Sequence, residues 1–374
     1  MKIGVDARMY GQGGGIGRYV KELLLELQQI DVSNEYIVFL NEEGYSAFRP
    51  TNPRFQKRLT PIRWYTLREQ FLLPRSIDRE QLDLVHYPHW NIPLLARTPF
   101  LVTIHDLILL SQPTSAHRAT TLPSIVYKLK YWGFRYVLGR ALAHARQIIV
   151  VSDFVRQDLR RRFPHISKKK IALIYEGTTP VAEREGRPNP LVPRDPYFLY
   201  VGNAFPHKNL ESLLHAFSLF HRLHPKVRMV LVGKDDLFYQ RLRKEVEEIG
   251  LPETAVVFTD FVPDEELGSL YRGATLYLFP SKHEGFGLPP LEAMSYGVPV
   301  AASRATALPE ILGDAALYFD PDDLEEMVEV MERALLDGAL RKELAERGKR
   351  RIERYSWRDM AKAIHERYLT YAGT

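Results

Sequence analysis

Residues 274–303 read ATLYLFPSKHEGFGLPPLEAMSYGVPVAAS. The segment opens on a short apolar run of β-forming residues, ATLYLFPS, and crosses a loop of Gly, Phe and Pro. It then continues as a helix-like stretch and closes on a second apolar run, VPVAAS. Strand, helix and strand in that order make a βαβ unit, whose two strands lie parallel. Pro289 and Pro290 fix φ for helix entry, and Gly297 suits the helix end. Glu284 falls in the loop and Glu292 in the first turn of the helix. Gly285 and Gly287 free the backbone, so the amides of residues 285 to 288 can face an anion. Both carboxylates sit favourably near a helix N-terminus. As anions they cannot hold phosphate, but they can accept hydrogen bonds from a sugar on one side and a ribose on the other. A structural pair of capping acids is the plainer alternative.

The alternation extends outward through the chain. In the first half KIGVDAR, YIVFL, DLVHYP, FLVTIHD, QIIVVS and KIALIYEG read as strands, and in the second YFLYVG, VRMVLVG, AVVFTDF, ATLYLFPS, VPVAAS and ALYF. Helical patterns lie between them, as in IGRYVKELLLELQQI, where Tyr19, Leu23, Leu27 and Ile30 recur at helical spacing. The fold class is therefore α/β, with two doubly wound parallel sheets. TTPVAEREGRPNPLVPRDP is rich in Pro and charge and reads as a linker. The expected division is 1–178 for the first domain, 179–196 for the linker and 197–356 for the second domain. A last helix from about Trp357 to Tyr371 carries Met360, Ile364 and Tyr368 on one face.

Composition narrows the chemistry. The 374 residues are 45% hydrophobic, enough for two ordinary cores, and include no cysteine. Disulfides, thiol catalysis and Cys-based zinc sites are excluded. The reducing compartment this suggests is the cytoplasm, and MKIGVDARMY reads as a first strand rather than a signal peptide. The apolar runs fall far short of the roughly 20 residues a membrane crossing needs. A net charge of +5 favours anionic partners without choosing among them.

Three further stretches point to a site. YGQGGGIGRY follows the first strand, and Gly13, Gly14, Gly15 and Gly17 let the backbone approach a ligand at the start of a helix. It is neither the dinucleotide fingerprint nor a P-loop, and a flexible turn remains open. LVTIHDL ends a strand on His105 and Asp106, where a histidine can bond a sugar hydroxyl, move a proton or serve structure. In LYVGNAFPHKNLESLL, Lys208 at the mouth of the second domain suits a diphosphate, and Asn209 suits a helix N-cap. His86 and His89 of HYPHW lack a third ligand at useful spacing, so no metal is expected. Asp320 to Asp323, DPDD, reads as a turn capping the next helix.

Together EGFGLPPLE, VGNAFPHKN, GGGIGRY, TIHDL, VVSDFV, IYEG and FVPDEEL resemble glycosyltransferase family 4 over nearly the whole chain. The resemblance implies the GT-B fold, two Rossmann-like domains facing across a cleft, with the helix 357–374 joined to the first. It implies retaining, metal-independent transfer from a nucleotide-sugar. By the same resemblance Glu284 contacts the donor sugar, Glu292 the ribose, and Lys208 the diphosphate, helped by the amides around Phe286, Gly287 and Leu288. Gly14 and Gly15 approach the phosphates, His105 lies near the reacting sugar, and the backbone around Val262 meets the base. Where many members carry a basic residue after the strand this chain has Asn203, which leaves more of the phosphate charge to Lys208.

The wording of VDARMYGQGGGIGRY and VHYPHWNIPL is similar to the mannosyltransferase-like branch that builds bacterial surface polysaccharides. GDP-mannose is accordingly the favoured donor and UDP-glucose the second, with a glycan or lipid-linked acceptor. Residues 118–170 hold thirteen Lys and Arg, from Arg118 to Lys170, against only Asp153 and Asp158, with aromatics interleaved. This suggests contact with an anionic membrane on its inner face; an ordinary solvated helix face is the alternative. A nucleotide-sugar epimerase or phosphorylase would keep the fold. Nucleic-acid binding finds no recognised module.

Overall fold

The computed structural model describes residues 1–111, 124–179 and 189–371. The chain divides into two compact units. Of the described residues the first holds 1–107, 124–177 and 356–371, and the second holds 178–179 and 189–355 together with Ile108–Ser111. That short helix follows directly on a strand of the first unit, so the sequence offered no break there.

Strands β1 (Lys2–Asp6), β2 (Glu35–Leu40), β3 (Phe55–Leu59), β4 (Leu84–Tyr87), β5 (Phe100–Ile104), β6 (Gln147–Val150) and β7 (Ile171–Leu173) build the first sheet. Its order is β3-β2-β1-β4-β5-β6-β7, all parallel. The second sheet contains β8 (Tyr197–Val201), β9 (Arg228–Val232), β10 (Val256–Phe258), β11 (Leu276–Phe279), β12 (Val300–Ser303) and β13 (Ala316–Phe319). It runs β10-β9-β8-β11-β12-β13, again all parallel. Strand order reverses between β1 and β4 in one sheet and between β8 and β11 in the other. At such a switch point the loops leaving adjacent strands diverge and open a crevice at the carboxyl ends.

The central strands are buried on both faces, as helix-covered parallel sheets require. β3 differs: FQKRL is a half-exposed, polar edge strand. The helix Gly15–Ile30 buries Tyr19, Leu23 and Leu27 on its sheet-facing side. The helix Trp357–Tyr371 buries Met360, Ile364 and Tyr368 and packs on Gly15–Ile30, within the first unit.

Tyr368 also anchors a buried polar chain. Its hydroxyl lies 2.6 Å from His86 Nδ1, and His86 Nε2 lies 2.8 Å from Thr103 Oγ1. Thr103 Oγ1 in turn lies 3.1 Å from the Tyr19 hydroxyl. Burial pushes His86 down to about 3, so the ring is neutral and offers one donor and one acceptor. His86 is thereby fully engaged in structure.

At DPDD the Asp323 carboxylate accepts from Glu326 N at 3.0 Å and caps the helix Leu324–Leu336. The basic stretch separates into distinct pieces, and Arg118 lies outside the described residues. On the helix Asp153–Arg162, Arg156 pairs with Asp153, while Arg161 and Arg162 pair with Asp158. The cations of the helix Ser124–His144 have no acid on their own helix.

Candidate functional site

In the second unit the loops after β8 and β11 meet at the switch point. The first leaves through Gly202 and Asn203 and forms a short 3-10 turn, Pro206–Lys208. Asn203 is exposed, and its Oδ1 accepts from Phe205 N at 3.4 Å. Asn209 stands at the N-cap position of the helix Leu210–Leu223 with φ 61°, yet its side chain caps nothing. Its Nδ2 donates instead to the Pro321 carbonyl at 2.7 Å, pinning the loop to a neighbouring segment.

The turn delivers Lys208 to the second loop. Lys208 Nζ donates to Glu284 Oε1 at 2.6 Å, with the two side chains 14% and 11% exposed. The ammonium also lies 5.4 Å from the Phe279 ring centroid. Burial on its own would raise the Glu284 carboxyl, but the charge of Lys208 beside it holds it below its usual value. Glu284 N donates to Thr306 Oγ1 at 2.9 Å, which fixes the acid's backbone. His207 is pushed down to about 4 by burial and by Lys208, so Lys208 is the cation of the turn at neutral pH.

Beyond Glu284, Gly287 takes φ +100°, a conformation that favours glycine, and becomes the N-cap of the helix Leu288–Ser295. Phe286 and Leu288 are buried, and the Phe286 ring packs edge-on against Tyr355 at 5.4 Å. Pro289 and Pro290 carry no N–H, so the amides this turn can offer a ligand are those of Gly287 and Leu288. Glu292 sits one turn in, where Tyr271 Oη donates to Oε2 at 3.4 Å. Val262, in the loop after β10, has a buried side chain. Its neighbour Asp260 takes φ +61°, and Asp260 Oδ1 accepts from the amides of Asp235 and Phe261.

The first unit has its own crevice at the β1/β4 switch point. A cavity of about 10 Å³, room for one water-sized group, is lined by Asp6, Met9, Ile16, Trp64, Tyr87 and His89 among others. Behind it Arg8 is fully buried. It grips Asp6 through Nε at 2.8 Å and Nη2 at 2.7 Å, and it donates to Glu69 at 2.7 Å and to the Ile62 carbonyl at 3.0 Å. Gly14, at φ +99°, starts the helix Gly15–Ile30 beside this crevice.

His105 follows β5. Its Nε2 lies 2.9 Å from the Pro88 carbonyl and its Nδ1 lies 2.8 Å from Glu176 Oε1. Both neighbours only accept, so both ring nitrogens carry protons and the ring is an imidazolium. Burial opposes that charge, but Glu176 outweighs it and His105 titrates above its ordinary value. Tyr19 packs edge-on against the ring at 4.8 Å.

Sequence reasoning passed over Glu176 and the Arg8–Asp6–Glu69 network. Glu176 stood inside IYEG, but no spacing ties it to His105, 71 residues away. Glu69 lies 61 residues from Arg8, and no spacing ties the two together.

Two family models match this arrangement along the chain. Residues 13–181 match Glycosyltransferase Family 4, and residues 182–351 match Glycosyl transferases group 1. The chain belongs to glycosyltransferase Family 4. The O-antigen chain mannosyltransferase RfbU of Salmonella typhimurium is 27% identical to this glycosyltransferase over 330 residues, 85% of this chain and 86% of RfbU. The serotype-specific mannosyltransferase WbdA of Escherichia coli is 37% identical over 171 residues, 45% of this chain. The match takes in 21% of WbdA, so the chain spans about a fifth of the length of that relative. Among solved structures, Anabaena HepE in complex with UDP and glucose gives a TM-score of 0.74 at 18% identity, covering 99% of this chain and 100% of HepE. That likeness is one of fold, and the fold is GT-B, built of two Rossmann-like units.

Proposed function

We propose that this glycosyltransferase moves a hexose, mannose first, from a nucleotide-sugar to a glycan or lipid-linked acceptor in surface polysaccharide synthesis. Configuration is retained, and no metal ion takes part. The observation that carries the reading is the Lys208–Glu284 pair at the β8/β11 switch point, beside the free amides of the Gly287–Leu288 turn. A diphosphate brings two acceptors for Lys208 and competes directly with Glu284 for it. Glu284, released, becomes an acceptor for hydroxyls of the donor hexose, and Glu292, one helical turn on, for those of the ribose. The base lies along the loop at Val262, with Asn203 at the rim of the phosphate region. In the first unit, Gly14 and Gly15 leave the backbone open to an anionic group at the start of the helix Gly15–Ile30.

In the transfer the bond between the sugar's anomeric carbon and the diphosphate oxygen breaks, and a bond to the acceptor oxygen forms on the same face. The acceptor's proton passes to the departing phosphate. Lys208 and the turn amides offset the charge that develops there, so the protein contributes mainly positioning and electrostatics. In the first unit His105 acts as a fixed cation rather than as a base, because both its nitrogens are occupied. Glu284 is a poor covalent nucleophile while it is ion-paired.

Mannose is preferred because the mannosyltransferases RfbU and WbdA are similar over their matched lengths. HepE, crystallised with UDP and glucose, supports UDP-glucose as the second donor. The decisive assay incubates the protein with GDP-mannose or UDP-glucose and a membrane-lipid extract, following nucleotide release and the anomeric configuration of the product by NMR. Release of GDP with an α-linked product supports the reading. A donor epimerised with no nucleotide released would replace transfer by epimerisation.

A further inference from the structure

We propose that the helix Ser124–His144 is a docking element that lies in the plane of an anionic lipid surface. Unlike an ordinary surface helix it is apolar on two faces. One face packs inward through Phe134, Leu138, Ala141 and Leu142. The opposite face is apolar as well: Ile125, Leu129, Trp132 and Tyr136 recur at steps of four, three and four, and are 74%, 67%, 65% and 62% exposed. At helical geometry these four fall within an arc of about 60°, on the side of the helix away from Phe134. A helix face turned to water is normally polar, and a contiguous exposed apolar stripe marks a contact surface.

The flanking charge names the occupant. Lys128 and Arg135 border the stripe on one side and Arg140 on the other, with no Asp or Glu between residues 124 and 146. The Arg135 guanidinium lies 5.3 Å from the centroid of the Trp132 ring, so its charge sits beside the stripe rather than across the helix. An apolar stripe with aromatic residues and cations on both flanks matches the boundary of an anionic bilayer, with acyl chains beneath the stripe and head groups beside the cations. An acidic protein partner would satisfy the cations but leave the four apolar side chains without a matching surface. Among the described residues no helix is long and apolar enough to cross a membrane, which is consistent with an in-plane contact. The cations of the neighbouring helix Asp153–Arg162 contribute less, since Arg156, Arg161 and Arg162 are paired with acids of their own helix.

This inference goes beyond the transfer reading and does not depend on it, because vesicle binding is read without donor or acceptor. The test mixes the full chain with vesicles of phosphatidylglycerol in phosphatidylcholine, and with phosphatidylcholine alone, and follows flotation and tryptophan fluorescence. The expected result is flotation with the anionic vesicles, weakened by salt, with a blue shift that Trp132→Phe removes while flotation persists. Leu129→Glu with Tyr136→Glu abolishes flotation and leaves circular dichroism and nucleotide-induced thermal stabilisation unchanged. Should that double variant lose its fold, Lys128→Gln with Arg135→Gln is the second probe. It lowers vesicle affinity roughly 25-fold, about fivefold per cation. Three results overturn the proposal: no flotation with anionic vesicles, flotation undiminished by either double variant, or a dimer of the chain that Leu129→Glu with Tyr136→Glu splits without any vesicle binding.

Discussion

Lys208 and Glu284 stand 76 residues apart in sequence and 2.6 Å apart in space. They meet because β8 and β11 are neighbours at a point where strand order reverses, and each strand hands its loop to the same crevice. The contact makes the crevice's cation and its acid interdependent, and a bound diphosphate would exchange one partner of Lys208 for another.

Lys208→Ala therefore does two separable things. It removes the charge proposed to hold the diphosphate, and it leaves Glu284 buried without its partner. Breaking a buried ion pair costs about 3–5 kcal/mol, with the lower end expected here because both groups keep some exposure. Lys208→Met combined with Glu284→Gln restores most of that stability without restoring nucleotide binding. Denaturant melts and calorimetric titration with GDP or UDP, run on both variants, check the separation. Full nucleotide affinity in either variant would contradict the role given to Lys208.

Glu292→Ala tests the ribose contact. Hydrogen bonds to charged groups contribute about 1.5–3 kcal/mol, so nucleotide affinity is expected to fall roughly 10- to 100-fold. The melting temperature of the free protein should change less than in Lys208→Ala, since Glu292 is half-buried and its carboxylate accepts from the Tyr271 hydroxyl at 3.4 Å. Deoxynucleotides lacking the ribose hydroxyls should bind wild type and Glu292→Ala alike.

His105 gives a pH dependence whose sign follows from its raised titration. A group whose folded pKa exceeds its unfolded value stabilises fully below the unfolded pKa, about 6.5 for histidine. The contribution disappears as pH rises through the folded pKa. Melting temperature should thus decline with pH above the ordinary histidine range, and Glu176→Gln should flatten that decline by removing the carboxylate that sustains the charge. Equal slopes for wild type and Glu176→Gln would show that the pair does not set the protonation of His105.

Tyr368→Phe removes the hydroxyl that bonds His86 Nδ1 within the first unit. One buried ring nitrogen loses its partner, at a cost of about 1–3 kcal/mol. The loss should appear as lowered protection of helix Trp357–Tyr371 in hydrogen exchange, with nucleotide affinity of the second unit unchanged.

Much of this architecture was legible in sequence because buried parallel strands are written as short, continuous apolar runs. VRMVLVG and ATLYLFPS could hardly be anything else. β3 escaped because FQKRL is an edge strand with polar residues on its open side, and such a segment reads as loop. The second-unit site was legible because its chemistry is local: Glu284, Gly287, Pro289, Pro290 and Glu292 lie within one βαβ turn. Its central contact, Lys208 with Glu284, was not, because it depends on which strands are neighbours. The same holds for His105. A histidine ending a strand was visible, but its protonation is decided by Glu176 and the Pro88 carbonyl, brought there by other strands. Asn209 sits where the cap was expected but takes a left-handed backbone, and its side chain bonds the Pro321 carbonyl and the Ser212 hydroxyl in place of a helix amide. On the helix Ser124–His144, apolar residues on both faces obscured any period, and the exposed stripe emerged only once the packed face was known.

The central claim is that the β8/β11 crevice binds the nucleotide of a sugar donor, and its most direct test is a thermal-shift titration with GDP, UDP and ADP, each with magnesium and with EDTA. A ligand at about 100 times its dissociation constant adds roughly 2.7 kcal/mol of stability. The account predicts stabilisation by one nucleotide, GDP first, unaffected by EDTA and clearly reduced in Lys208→Ala and in Glu292→Ala. Failure of all three nucleotides to stabilise the protein, or stabilisation undiminished by both substitutions, would contradict it.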